Sequence, residues 1–277
     1  MAVEEAAGSA VVAALADLVE AVPGAGERAA VGSGEDAMIP MDIVDEFAKR
    51  AREACGTNLE SVILFGSAVA GDFHPELSNL NLLCILRVSS FEALKALALV
   101  AKWWDKQKQP PPLCMTRQEI ERLTDVFTIE LLDMQQHHRV VYGEDVLSGL
   151  HIPMDLHRVQ VEYELREKLI LLRQHLLLAA EKESRLWDIL LRSAPSFSTL
   201  FRHARIALGD ASHTTRREAV KAFDGSAVLQ VLDVREKKID RKKVDIRNLV
   251  ARYLDDVERV TTLVDRALDR NASERNK

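Results

Sequence analysis

The amino-acid sequence predicts an α+β fold in two parts, a mixed-sheet domain followed by an all-α helical bundle. Short apolar or β-branched runs at 61–65, 80–86 and 126–134 alternate with helical patterns in the first half. After Gly149 the character changes: residues 154–191 contain neither glycine nor proline and carry many charges on an outer face, as bundle helices do. No internal repeat relates the two halves. The expected division is a flexible N-terminal segment 1–38, a sheet domain 39–149 and a helical bundle 150–277.

Residues 10–21 are expected to form a short helix, and the glycine- and alanine-rich stretch behind them a linker. In "MDIVDEFAKRAREAC" the apolar positions Ile43, Val44, Phe47, Ala51 and Ala54 recur at helical spacing, and Gly56 stops the helix. The strand 61–65 ends at Gly66-Ser67, and the strand 80–86 is apolar almost throughout, which predicts burial on both faces. Ser90 caps an amphipathic helix over 89–109 that the prolines 110–112 end, and "LCM" then reads as a short strand. Thr116 and Glu119 form a capping-box signature for a helix at 117–124, and "VFTIELLDM" reads as a third strand over 126–134. Beyond 154–191, helices are expected at 196–208, 214–223, 226–238 and 244–269.

Composition bounds the function classes. The chain of 277 residues carries a net charge of −6, so no dedicated nucleic-acid or anionic-membrane binder is expected. Cys55, Cys84 and Cys114 lie far apart in sequence without C-x-x-C spacing, which predicts reduced, buried thiols. No apolar run approaches the roughly 18 residues of a membrane span, and the N-terminus is acidic, so a cytoplasmic location is expected.

The chemistry-bearing stretch is "LFGSAVAGDFHPELSNLNLL". A strand running into a small-residue turn can aim backbone N–H groups at phosphate. Alternation along a strand points positions 79 and 81 to the same face, where they can share one ligand. Two asparagines in a strand otherwise reading "LLCIL" are hard to explain as packing, because buried amides need hydrogen-bond partners.

This stretch resembles the pattern L-F-G-S-x-A-x-G-x-x-x-x-x-S-D-x-D-L of the polymerase-β-type nucleotidyltransferase superfamily. The resemblance covers residues 41–145, and the helical half looks like the bundle that accompanies bacterial members, including aminoglycoside nucleotidyltransferases. It implies a nucleoside triphosphate held by Gly66 and Ser67, magnesium ions at positions 79 and 81, and Glu130 as the third carboxylate, on a neighbouring strand, that orients the acceptor hydroxyl. The chain departs from the pattern at both aspartates, which here are Asn79 and Asn81. Magnesium is a hard cation that favours carboxylates and dehydrates reluctantly, so the loss is expected to cost several kcal/mol of metal affinity.

The leading expectation is therefore an impaired nucleotidyltransferase-like protein with a nucleotide-binding, regulatory or scaffold role. The alternative is an active magnesium-dependent enzyme that transfers a nucleoside monophosphate to a hydroxyl of a small molecule or protein, with Asp72 or Glu76 replacing the missing acids. The long apolar helix faces fit a homodimer or a protein partner. Helical domains paired with nucleotidyltransferases include ribonucleases with an arginine and a histidine four to six residues apart on one helix, and no histidine here has an arginine at that spacing before it. His137 and His138 are expected at the surface, one of Trp103 and Trp104 packed on the sheet and the other on the helical half, and the basic run from Arg235 to Lys243 solvated.

Overall fold

A computed structural model describes residues 40–70, 78–210 and 214–275, the last eight of these through their backbone alone. The short helix expected at 10–21 lies outside the described residues. The chain divides into two compact units, Met1–Pro153 and Met154–Lys277.

The first unit is built on a four-stranded mixed sheet in the order β3-β2-β1-β4. Helix α1 (Met41–Cys55) leads into β1 (Leu59–Phe65), and β2 (Asn81–Leu86) returns antiparallel to it. Helix α2 (Phe91–Lys106) carries the chain to β3 (Leu113–Thr116), parallel to β2. Helices α3 (Arg117–Arg122) and α4 (Thr128–Gln136) precede β4 (His138–Gly143), antiparallel to β1. Ser90 accepts the Ala93 N–H at the start of α2, and the Thr116–Glu119 capping box opens α3 in both directions.

One face of the sheet has a clear cover. Val62 and Leu64 of β1 and Leu82, Cys84 and Leu86 of β2 form one buried cluster with Phe47 and Ala51 of α1 and Leu97, Val100 and Trp104 of α2. Phe47 and Trp104 meet edge to face at 5.1 Å between ring centroids. Trp103 lies against α1, with the Arg50 guanidinium stacked over its ring at 4.6 Å. At the far edge, Gly143 has a φ of +81°, and a Cβ there would fall 1.9 Å from the Glu60 carbonyl. That close approach lets Ser61 donate to the carbonyls of Tyr142 and Glu144 at 2.9 and 2.8 Å.

The run 126–134, expected as the third strand, is helix α4. Short apolar runs fit either period, and this one is buried at nearly every position, which erases the amphipathic signal that separates helix from strand. The strand that pairs with β1 begins four residues later, at His138, whose ring is largely buried rather than at the surface.

The second unit contains α5 (Met154–Ala179), α6 (Glu183–Ala207), α7 (Arg216–Ala222), α8 (Ser226–Arg235) and α9 (Ile246–Arg275). Helix α6 is central and touches the other four; from Ser196 to Ala204 it is buried all round. The interruption expected at 192–195 is absent, and the helical break falls at 180–182, leaving Pro195 inside α6. Proline removes the N–H that would bond the carbonyl four residues earlier. Here that carbonyl, Leu191, accepts from the Arg235 Nη1 at 2.8 Å. Buried Asp256 of α9 accepts the backbone N–H groups of Ala227 and Val228, closing the N-terminus of α8, and also binds Arg259 at 2.7 Å. His157 of α5 and His203 of α6, both fully buried, meet nitrogen to nitrogen at 2.9 Å.

Candidate functional site

The site is assembled where β1 ends and β2 begins. Phe65 and Asn81 are Cα partners across that pair, and Phe65 is also the partner of His138 on β4, so the three residues form one row across the sheet. Leu80 and Leu82 lie in the cluster under α1 and α2. Alternation therefore sends Asn81 to the opposite face, while Asn79 lies two residues before the strand begins.

After Phe65 the chain turns sharply. Gly66 has a φ of +83°, a left-handed conformation that side chains resist, and Gly66–Ala68 form one 3-10 turn. The Gly66 carbonyl accepts from Val69 and Ala70 at 2.9 and 3.0 Å. A Cβ at position 66 would stand 3.1 Å from the Asn81 Nδ2, so glycine is what lets the turn lie against the asparagine amide. Ser67 occupies the middle of this turn.

Asn81 is about nine-tenths buried, being 9% exposed, and its Oδ1 has no hydrogen-bond partner among the described residues. An unpaired buried amide oxygen costs about 1–3 kcal/mol. The indole N–H of Trp104 is likewise buried without an acceptor, but it sits inside the apolar cluster between α1 and α2. Asn79 is half-buried, and the intervening Leu80 N–H donates to the Gln109 Oε1 at 2.8 Å. Gln109 was not anticipated from the sequence, since nothing local marks a glutamine after a helix as the partner of a strand 29 residues away.

Glu130 departs from expectation. It lies in the first turn of α4 and is buried, so the argument that a neighbouring strand presents it beside positions 79 and 81 does not hold. The strand that flanks β2 on the side away from β1 is β3, and the residues leading into it, Gln109 to Pro112, include no carboxylate. Among the described residues, no three His, Cys, Asp or Glu side chains converge to hold a metal ion. Asp72 and Glu76, the expected substitutes, lie outside the described residues.

At the other end of the row, the His138 ring bonds the Gln135 carbonyl and the Asp145 carboxylate, each at 3.1 Å. Partial burial pushes the Asp145 carboxyl up. Hydrogen bonds from the Ser148 hydroxyl and N–H, from His138 and from the Leu147 N–H outweigh it and hold the group well below the usual carboxylate range. His138 is therefore fixed as a structural member of the row.

A strand, a glycine-serine turn and a returning strand with paired polar residues are thus in register as the sequence pattern requires. Residues 44–138 match the family of the nucleotidyltransferase domain. The matched stretch includes the turn, both asparagines, β1, β2 and β3, and it ends at the first residue of β4. A solved relative in fold is the spectinomycin adenyltransferase AAD(9) of Enterococcus faecialis, determined with ATP and spectinomycin. The likeness has a TM-score of 0.51 at 15% identity and covers 79% of this chain and 99% of that chain. No curated protein sequence matches the chain. Among the described residues no helix is long and apolar enough to cross a membrane.

Proposed function

We propose that this protein uses a nucleotidyltransferase domain to bind a nucleotide without magnesium-dependent transfer, in a regulatory or scaffold role. The observation that carries the reading is Asn81: a buried amide beside the Gly66 turn, with an unpartnered Oδ1, at a position where metal chemistry needs a carboxylate. Ser67 and the N–H groups of the turn would take the phosphate oxygens. Neutral Asn79 and Asn81 would add amide N–H donors, which an anionic ligand accepts without an intervening cation.

A magnesium ion does not fit the donor set of the described residues. It favours an octahedron of hard, charged oxygens at about 2.0–2.1 Å, and here two amides replace two carboxylates while Glu130 sits on a helix.

A second reading, active transfer, is favoured by the adenyltransferase named as a structural relative. It requires an acid from residues 71–77, Asp72 or Glu76, to supply the missing charge. A scaffold role is supported by α5, where Leu156, Val159, Tyr163, Ile170 and Leu177 are exposed at helical spacing. Calorimetric titration with ATP and GTP, in magnesium and in chelator, separates these readings. Binding that survives the chelator supports the proposal; binding that appears only with magnesium supports transfer. The absence of binding in both conditions leaves the scaffold role alone.

A further inference from the structure

The three cysteines, widely spaced in sequence, converge in the fold. Cys84 and Cys114 are Cα partners in the parallel pair of β2 and β3. Neighbouring strands lie about 4.8 Å apart, within the Cα separation of about 4.4–6.8 Å that a disulfide spans. Cys84 belongs to the cluster beneath α1 and α2, and both Cys55 and Cys114 pack against that cluster. All three are free thiols; Cys84 is fully buried, whereas Cys114 is half-buried on β3, an edge strand of the sheet.

The two paired thiols are not equivalent. A hydrogen bond with Cys114, followed by burial, raises Cys84 well above the ordinary thiol value. The same bond lowers Cys114, against an opposing effect of burial. Cys114 is thus both the more reachable and the more readily ionised of the pair.

We propose that Cys84 and Cys114 form an oxidation site in which a peroxide closes a reversible disulfide between β2 and β3. The Cys114 thiolate attacks one peroxide oxygen and the O–O bond breaks. This gives a sulfenic acid at Cys114 and releases hydroxide, which takes up a proton to become water. The Cys84 sulfur then attacks the Cys114 sulfur, the S–O bond breaks, and the sulfenic oxygen leaves as a second water with the Cys84 proton. In total two thiols and one hydrogen peroxide yield one disulfide and two waters. The bond ties together the strands whose leading ends carry Asn81 and Gln109, so the modification lies next to the candidate site without depending on any ligand there.

The test treats the full chain with hydrogen peroxide and reads intact mass without reductant. The expected result is a loss of about 2 Da that a dithiol reverses. Trypsin leaves Cys55 and Cys84 on one peptide, 53–87, so a glutamate-specific protease is added to cut after Glu60 and Glu76. The linked species should then join peptide 77–87 to peptide 109–117. Cys55→Ser should keep the link and Cys114→Ser should abolish it. Cys84→Ser should instead let Cys114 run on to sulfinic acid, a gain of about 32 Da. A link from Cys55 to Cys114, or a wild-type chain that goes to sulfinic acid at Cys114 with no link, overturns the proposal. So does a Cys114 that peroxide leaves untouched.

Discussion

In the bundle, the Leu191 carbonyl loses its helical donor to Pro195 and is met by Arg235, and Asp256 meets two N–H groups at the start of α8. At the head of β2, the Asn81 carbonyl oxygen is just as thoroughly buried and meets nothing among the described residues. Both situations begin with a polar group removed from water, which costs about 1–3 kcal/mol when left unpaired. In the bundle the partners are part of the fold, so those residues serve stability. Asn81 lies beside the Gly66 turn, whose glycine leaves room for its amide, and under the proposed function its unpartnered oxygen belongs to the surface a nucleotide would meet.

The comparison breaks most visibly if the bundle residues are removed. Asp256→Ala leaves the Ala227 and Val228 N–H groups without their acceptor and Arg259 without this carboxylate. It should lower unfolding stability by about 2–4 kcal/mol in urea titration. Arg235→Met keeps the length of the side chain but unpairs the Leu191 carbonyl, for an expected loss of about 1–3 kcal/mol. Adding Pro195→Ala to that variant returns a backbone N–H to the same carbonyl, so the double mutant should recover about 1 kcal/mol more than the sum of the single changes predicts. A strictly additive pair would remove Leu191 from the account.

On the side of the sheet, Gly66→Ala forces a side chain into the left-handed region and against Asn81, with an expected cost of about 1–2 kcal/mol. The more telling readout there is nucleotide affinity, which should fall further than stability does. The smallest effect concerns acid. Because the Asp145 pKa is depressed in the fold, its contribution is complete above the ordinary carboxylate value of about 3.9 and fades as pH falls below it. Asp145→Asn should therefore destabilise the protein at neutral pH, with the gap to the wild type closing in unfolding curves taken toward pH 2.

Much of the frame was legible in the sequence because its signals are local. Gly66-Ser67 ends a short apolar strand, Leu80, Leu82 and Cys84 alternate with Asn79 and Asn81, and Thr116 with Glu119 spells a cap. What was misread depends on tertiary packing. Ile129 to Leu132 are buried on all sides, so the period that distinguishes helix from strand is lost, and Glu130 was assigned to a strand it does not occupy. Pro195 reads as a helix end until Arg235, 40 residues away, supplies the missing donor. Gln109 reaches the Leu80 N–H by a path that no sequence spacing encodes.

The central claim is that the amides at 79 and 81 set the protein apart from metal-dependent transfer. The direct test is calorimetry of magnesium and ATP on the wild type and on the double variant Asn79→Asp/Asn81→Asp. The account predicts that ATP binding to the wild type ignores magnesium, and that the double variant acquires a magnesium site on which its ATP binding comes to depend. A double variant with no gain in metal affinity would contradict the placement of the site, and a wild type that already requires magnesium would contradict the claim itself.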